Sequence, residues 1–104
     1  MNEYNPGLEG EIISETHEVV TEPPMYRVLL LNDDYTTMEF VVGVLVHVFH
    51  KSTETAIQIM INVHRAGVGL CGVYPCEVAE TKVNTVHALA RESGFPLKCM
   101  MEKE

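Results

Sequence analysis

No apolar run in this chain of 104 residues reaches the length of a membrane span. The opening residues, MNEYNPGLEG, hold neither the basic stretch nor the apolar core of a secretory leader. Cations are scarce: 7 Lys and Arg stand against 15 Asp and Glu, a formal net charge of −8. A nucleic-acid binder neutralises phosphates with clustered cations, so this balance argues against one. The three cysteines, Cys71, Cys76 and Cys99, are odd in number and form no C-x-x-C. A disulfide framework is not expected, reduced thiols suit the cytosol, and the ordinary reading of all three is as small buried hydrophobes. Gly-x-Ser-x-Gly is missing, as is any glycine motif that cradles phosphate. These absences lead us to expect a soluble cytoplasmic protein that needs no cofactor.

Apolar residues make up 46% of the chain, enough for one core without covalent staples. The charge divides unevenly. Residues 1–24 contain Glu3, Glu9, Glu11, Glu15, Glu18 and Glu22 and no Lys or Arg, whereas residues 25–104 carry only −2. The first segment also has Pro6, Gly7, Gly10 and a closing Pro23-Pro24, with no sustained periodicity. It reads as a flexible acidic extension, 1–24, before a near-neutral domain, 25–104.

Within that domain, Met25 to Leu31 is rich in β-formers and stops at Asn32-Asp33-Asp34, which predicts a strand and a turn. Thr36 and Glu39 have capping-box spacing, with Thr36 as the cap. They lead into a heavily buried helix over Phe40 to His50. Ser52 is placed to cap a second helix, Thr53 to Arg65, on which Ile57, Met60, Ile61 and His64 share a face. Gly67 supplies its left-handed stop. Val68 to Tyr74 predicts a second strand. Pro75 suits the first position of a third helix, whose stripe is Val78, Ala79, Val83, Val86 and Ala90 and which ends at Gly94. Leu97 to Met101 predicts a last short strand. The order is β-α-α-β-α-β, an α+β domain with three helices on a three-stranded antiparallel sheet.

Few groups in this layout carry chemistry. Asn32-Asp33-Asp34 suits either a cation or amine receptor or plain turn formation, since Asn and Asp bond their own backbone. His64, near the end of its helix beside Met60, is either a ligand group or a half-buried packing residue. His47 and His50 lie i, i+3 and could join a cysteine on a metal, but in no recognised spacing. Cys71 or Cys76 with His64 is a thiol–imidazole arrangement with little support in the sequence. Ser52 and Ser93 fall at helix ends, where capping explains them.

Taken together, these residues form a recognisable series. Pro23-Pro24-Met25-Tyr26-Arg27-Val28, then Leu31-Asn32-Asp33-Asp34-Tyr35-Thr36-Thr37-Met38-Glu39-Phe40-Val41, resembles the opening of a ClpS adaptor domain. Met60-Ile61-Asn62-Val63-His64, Gly72-Val73-Tyr74, Glu77-Val78-Ala79-Glu80-Thr81-Lys82-Val83 and Pro96-Leu97 continue it in order, so the resemblance spans about residues 22–104. It implies a non-catalytic bacterial adaptor, working in the cytoplasm. Such a protein binds the free N-terminus of proteins that begin with Leu, Phe, Tyr or Trp and hands them to an AAA+ unfoldase, ClpA or a relative, for degradation by the ClpP peptidase. In that pattern Asn32, Asp34 and His64 hold the ligand's α-amino group, with Asp33 assisting. Leu30, Leu31, Thr36, Met38, Val41, Met60, Val63 and Leu97 line the side-chain pocket, with Met38 as its gate. Glu77 and Lys82 face the N-terminal domain of the unfoldase. Thr37 stands where many relatives have Pro, which is compatible with the start of a helix. A different class, an interaction domain like the C-terminal domain of the ribosomal stalk protein, shares the layout. It has no need for Asn32, Asp34 and His64 to converge on an apolar pocket.

The residue types fit the implied ligand. An N-terminal amine is mostly ammonium at neutral pH and offers donors only. Asn32 presents an amide oxygen, Asp34 a carboxylate and neutral His64 a ring nitrogen, three acceptors for three N–H bonds.

Overall fold

The structure, a computed structural model, describes residues 22–104. The expected extension lies outside the described residues except for 22–24. The elements are β1 (Met25–Leu31), α1 (Met38–His47), α2 (Thr53–Ala66), β2 (Val68–Pro75), α3 (Cys76–Ser93) and β3 (Lys98–Lys103). The three strands form one antiparallel sheet in the order β2-β1-β3. Element order and sheet type agree with the sequence expectation; several boundaries and two helical faces do not.

β1 is central because it is the most apolar strand. Val28 and Leu30 point to the helical side and are fully buried. Val28 stands opposite Gly72 on one side and Met101 on the other; Leu30 stands opposite Gly69 and Cys99. The β1–β2 register shifts between Val28 and Leu29, where β2 carries one extra residue, Cys71. On the outer face Arg27 pairs with Glu102 at 2.8 Å, a solvent-screened contact that adds little stability.

α1 starts two residues before the expected Phe40 and stops at His47 instead of His50. The stop is physical: His50 adopts a left-handed backbone with φ of 57°, and the Lys51 amide turns back to donate to the Leu45 carbonyl at 3.0 Å. Val48 and Phe49 continue into the core although they have left the helix. The cap also differs. Thr37, not Thr36, accepts from the Phe40 amide at 3.1 Å, because the Thr36 hydroxyl is already donating to Asp33.

α2 is capped by Ser52, which accepts from the Thr55 amide, and Gly67 ends it with φ of 87°, as expected. Its buried face is not the Ile57–Met60–Ile61–His64 stripe. Ala56 and Val63 are the buried residues, with Ile59 and Met60 packed partly against the core, whereas Ile57 and His64 are exposed. The helix rolls this way because it lies directly on β2. A Cβ at Gly69 would stand 2.5 Å from the Val63 side chain, so the close approach of α2 to the sheet requires glycine there.

Pro75 is the last strand residue and the cap position of α3, and Cys76 is the first helical residue. Of the expected α3 stripe, Ala79, Val86 and Ala90 are buried and Val83 half-buried, but Val78 is exposed. β3 begins one residue later and runs two further than expected. Cys71 and Cys99 are buried, while Cys76 is exposed, which corrects the reading of all three as core residues. Burial pushes the Cys99 thiol up to about 12. It raises Cys71 as well, helped by the nearby Cys99. Neither thiol is an activated nucleophile.

Two side chains tie α3 across the fold. Lys82 reaches the Val48 carbonyl at 2.7 Å, with its ammonium over the rings of Phe49 and Tyr74. His87 accepts at Nε2 from the Cys99 amide at 3.0 Å. β3 pairs only with β1, so that amide has no partner strand on its other side, and His87 takes the place of one. Replacing His87 with Leu leaves a part-buried donor unpaired, which costs about 1–3 kcal/mol. We expect a lower urea midpoint with an unchanged slope; an unchanged midpoint means the bond contributes nothing.

Candidate functional site

The site is assembled by the segment from Asn32 to Thr37, which links the end of β1 to the start of α1. Its first anchor is a backbone bond: the Asn32 amide donates to the Gly67 carbonyl at 3.0 Å. Gly67 is the C-cap of α2, three residues after His64. This bond therefore holds the Asn32 loop against the helix end that bears the histidine.

Asp33 shapes the rest of the loop. Its Oδ1 accepts from the Tyr35 amide at 2.8 Å and the Thr36 amide at 2.7 Å. Its Oδ2 accepts from the Thr36 hydroxyl at 2.7 Å. The carboxylate thus folds the loop around itself, a side-chain-to-backbone turn. Partial burial works against its charge, but the bonds from Thr36 and Tyr35 outweigh that and hold the carboxyl below the ordinary aspartate value. The turn reading and the receptor reading of this cluster are therefore compatible: Asp33 makes the turn, and Asn32 and Asp34 stay exposed.

Between this loop and the α1–α2 hairpin lies a cavity of about 220 Å³. Its floor is Val41 and Val63, both buried. Met38, 56% exposed, and the half-buried Met60 stand at its sides. Asn32, Asp33, Asp34, Thr36 and His64 complete the lining. An apolar cavity of about 150 Å³ is enough to hold benzene, so this one has room for one large side chain. Its lining includes two aspartates and no Lys or Arg, so the mouth attracts a cation and repels a carboxylate.

The structure thus brings together Asn32, Asp33, Asp34, His64, Thr36, Met38, Val41, Met60 and Val63, nine of the residues expected at the site. It does not bring three others to the lining. Leu30 and Leu97 are buried in the main core, and Leu31 lines an adjoining depression that shares Asn32, Asp33 and Asp34 with the cavity and adds Tyr35, Pro96 and Lys98. Glu77 is exposed in the first turn of α3, away from the cavity lining. Lys82 is half-buried in its contacts with Val48, Phe49 and Tyr74. Among the described residues, no group of three or more His, Cys, Asp or Glu is placed to hold a metal ion. The turn expected of this cluster is present, and Asp33 is the residue that makes it; the cap at Thr37 was missed from sequence and could have been found in the competition between adjacent threonines.

Comparison with known proteins points to one family. The family described as ATP-dependent Clp protease adaptor protein ClpS matches residues 21–100. The chain belongs to the ClpS family. It is 59% identical to the ATP-dependent Clp protease adapter protein ClpS of Desulforapulum autotrophicum over 104 residues, the whole of both chains. It is also 59% identical to that of Desulfatibacillum aliphaticivorans over 95 residues, 91% of each. Among solved structures it resembles Agrobacterium tumefaciens ClpS2 bound to L-phenylalaninamide, with a TM-score of 0.77 and 43% identity over 80% of this chain and all of that one. Among the described residues, no helix is long and apolar enough to cross a membrane.

The Asp33 turn gives a pH prediction. Because folding lowers its carboxyl below the unfolded value, the stabilisation is present above the unfolded value and is lost as pH falls through the folded one. The amide shifts of Tyr35 and Thr36 should titrate with a midpoint below that of a free aspartate. A midpoint at or above it removes Asp33 as the organiser of the loop.

Proposed function

We propose that this chain is an adaptor that captures proteins by a free N-terminal Leu, Phe, Tyr or Trp and passes them to a ClpA-type AAA+ unfoldase. The observation that carries this reading is the joining of exposed acceptors to an apolar cavity: Asn32, Asp34 and His64 stand over Val41 and Val63. L-phenylalaninamide, the ligand bound to the Agrobacterium ClpS2, has the matching parts: a free amine, a benzyl side chain and an amide where the next peptide bond would begin. In our reading the ammonium donates to Asn32, Asp34 and His64, with Asp33 supporting them through the loop. Thr36, Met38, Val41, Met60 and Val63 take the side chain. Leu30 and Leu97 act from behind the cavity as packing.

Burying one Leu or Phe contributes about 1.5–3 kcal/mol, and each bond to a charged group about 1.5–3 kcal/mol. After ordering costs, affinities around micromolar are reasonable. The reading includes no reaction at the site: the chain binds and hands over, and the unfoldase with its ClpP peptidase does the chemistry. Glu77 and Lys82 mark the surface we assign to the unfoldase's N-terminal domain. Residues 1–24 are the acidic handle for delivery. We place all of this in the bacterial cytosol, with neither nucleic acid nor membrane as a partner.

The deciding experiment is fluorescence anisotropy with a Phe-initiated peptide and its N-acetylated twin. Acetylation removes the charge and two donors, so binding should fall by at least about a hundredfold, the loss of two or more charged hydrogen bonds. Equal binding of the twins, or none by either, sinks the reading.

Met38 sets the second test. An unbranched Cβ leaves its flexible thioether room, whereas the extra γ-substituent of Ile or Val meets it at the mouth. Met38→Ala should bring Ile- and Val-initiated peptides to within about tenfold of Leu, the scale of one small steric contact. Unchanged discrimination removes Met38 as the gate.

A further inference from the structure

The α1–α2 hairpin carries a second concavity that the capture of a terminus does not use. Met38 and Met60 line the cavity on one side and this trough on the other. Beyond them Val42, Gly43 and Val46 from α1 face Ile57 from α2 across about 470 Å³. Ile57 is 40% exposed, and Val42 and Val46 are half-buried, so an apolar surface is left open. Gly43 deepens it. It sits inside a helix, where glycine is disfavoured relative to alanine, yet a Cβ there would meet nothing within 4 Å. Packing inside the fold does not call for this glycine.

The direction of the trough is set by the hairpin. α1 leaves the cavity at Met38 and runs to His47; α2 returns from Thr53 to Met60 and His64. From Met38 to His47 a helix advances about 14 Å, the length of about four extended residues. We propose that this trough receives the substrate downstream of its captured terminus, with an apolar side chain at the third residue seated over Gly43. The proposal rests on the cavity holding the first residue. A backbone crossing the Met38–Met60 rim then lies along the trough. In an extended chain alternate side chains share a face, so the third points inward with the first. The trough is continuous with the cavity through two shared residues, which favours the same ligand over an unrelated one. Selectivity would then extend from the terminal residue to its neighbours.

The test uses the full chain, Gly43→Leu, which fills the trough, and Ile57→Glu, which charges its opposite wall. The probes are two fluorescent Phe-initiated peptides, alike except for Leu or Ala at the third position, with L-phenylalaninamide as a competitor. The Leu peptide should bind the unaltered chain about five- to tenfold tighter, the scale of a partly buried apolar side chain. Both substitutions should reduce that ratio to below about twofold, while L-phenylalaninamide competes equally with all three proteins and so reports an intact cavity. A ratio near one in the unaltered chain, or one that survives both substitutions, overturns the proposal. So does a ratio that emerges only when residues 1–21 are deleted, which assigns the trough to the chain's own first segment. A dimer that Gly43→Leu dissolves overturns it in favour of a second copy. Failure of L-phenylalaninamide to compete with the unaltered chain is a separate result, since it removes the cavity reading on which the proposal stands.

Discussion

One backbone hydrogen bond joins the two halves of the site. The Asn32 amide donates to the carbonyl of Gly67, and so the loop after β1 is fixed to the end of α2. Everything polar in the cavity depends on this registration. Asn32 and Asp34 come from one side of the bond and His64 from the other, 32 residues further along the chain than Asn32. The bond forms because Gly67 turns left-handed at the helix end and because Gly69 lets α2 lie close to the sheet. A bulkier residue at position 69 would lift α2 and carry His64 away from the loop. Two glycines that look like breakers in the sequence therefore control the spacing of the acceptors.

This arrangement divides the work between buried and exposed groups. Among the described residues, the buried set is wholly hydrophobic, with no buried polar or charged side chain, and no buried side-chain nitrogen or oxygen is left unpaired. The acceptors of the site remain near water. They can be solvated until a ligand arrives, so the empty site carries no large desolvation cost. In the proposed function the apolar floor supplies the drive, and the acceptors check that the ligand is a free terminus. Asp33 adds preorganisation, since its three hydrogen bonds shape the loop before anything binds.

Much of this was legible in the sequence. Strand and helix identities followed from β-former runs, the Ser52 cap, the Gly67 stop and the apolar periodicity, all local signals. What failed was the choice between neighbours. Thr36 and Thr37 both fit a cap, and only the claim of Asp33 on the Thr36 hydroxyl decides between them. On α2 the apolar spacing picks out the face of Ile57, yet the neighbouring Ala56 is the buried residue. The smaller one is buried because the helix must approach the sheet closely, a tertiary requirement invisible to periodicity. Leu30 and Leu97 show the same limit at the site. Their apolar character is plain in the sequence, but whether such a residue lines a cavity or backs it depends on which way each strand face turns.

The charge of the chain is best understood at the same local scale. A net −8 suggests a uniformly acidic surface, yet six of those charges lie in residues 1–24 and the remaining domain is close to neutral. Within the domain, the cavity lining is still anionic, because Asp33 and Asp34 lie in it and no cation does. Asp33 spends its charge on the amides and hydroxyl of its own loop, which leaves Asp34 as the carboxylate free to meet an ammonium. At physiological salt, exposed charges more than about 8 Å apart are largely screened from one another. Attraction at the cavity mouth is thus governed by its own two aspartates and not by the total. The balance that argues against nucleic acid is a property of the whole chain; the proposed preference for a cationic terminus rests on three adjacent residues and the helix end to which they are tied.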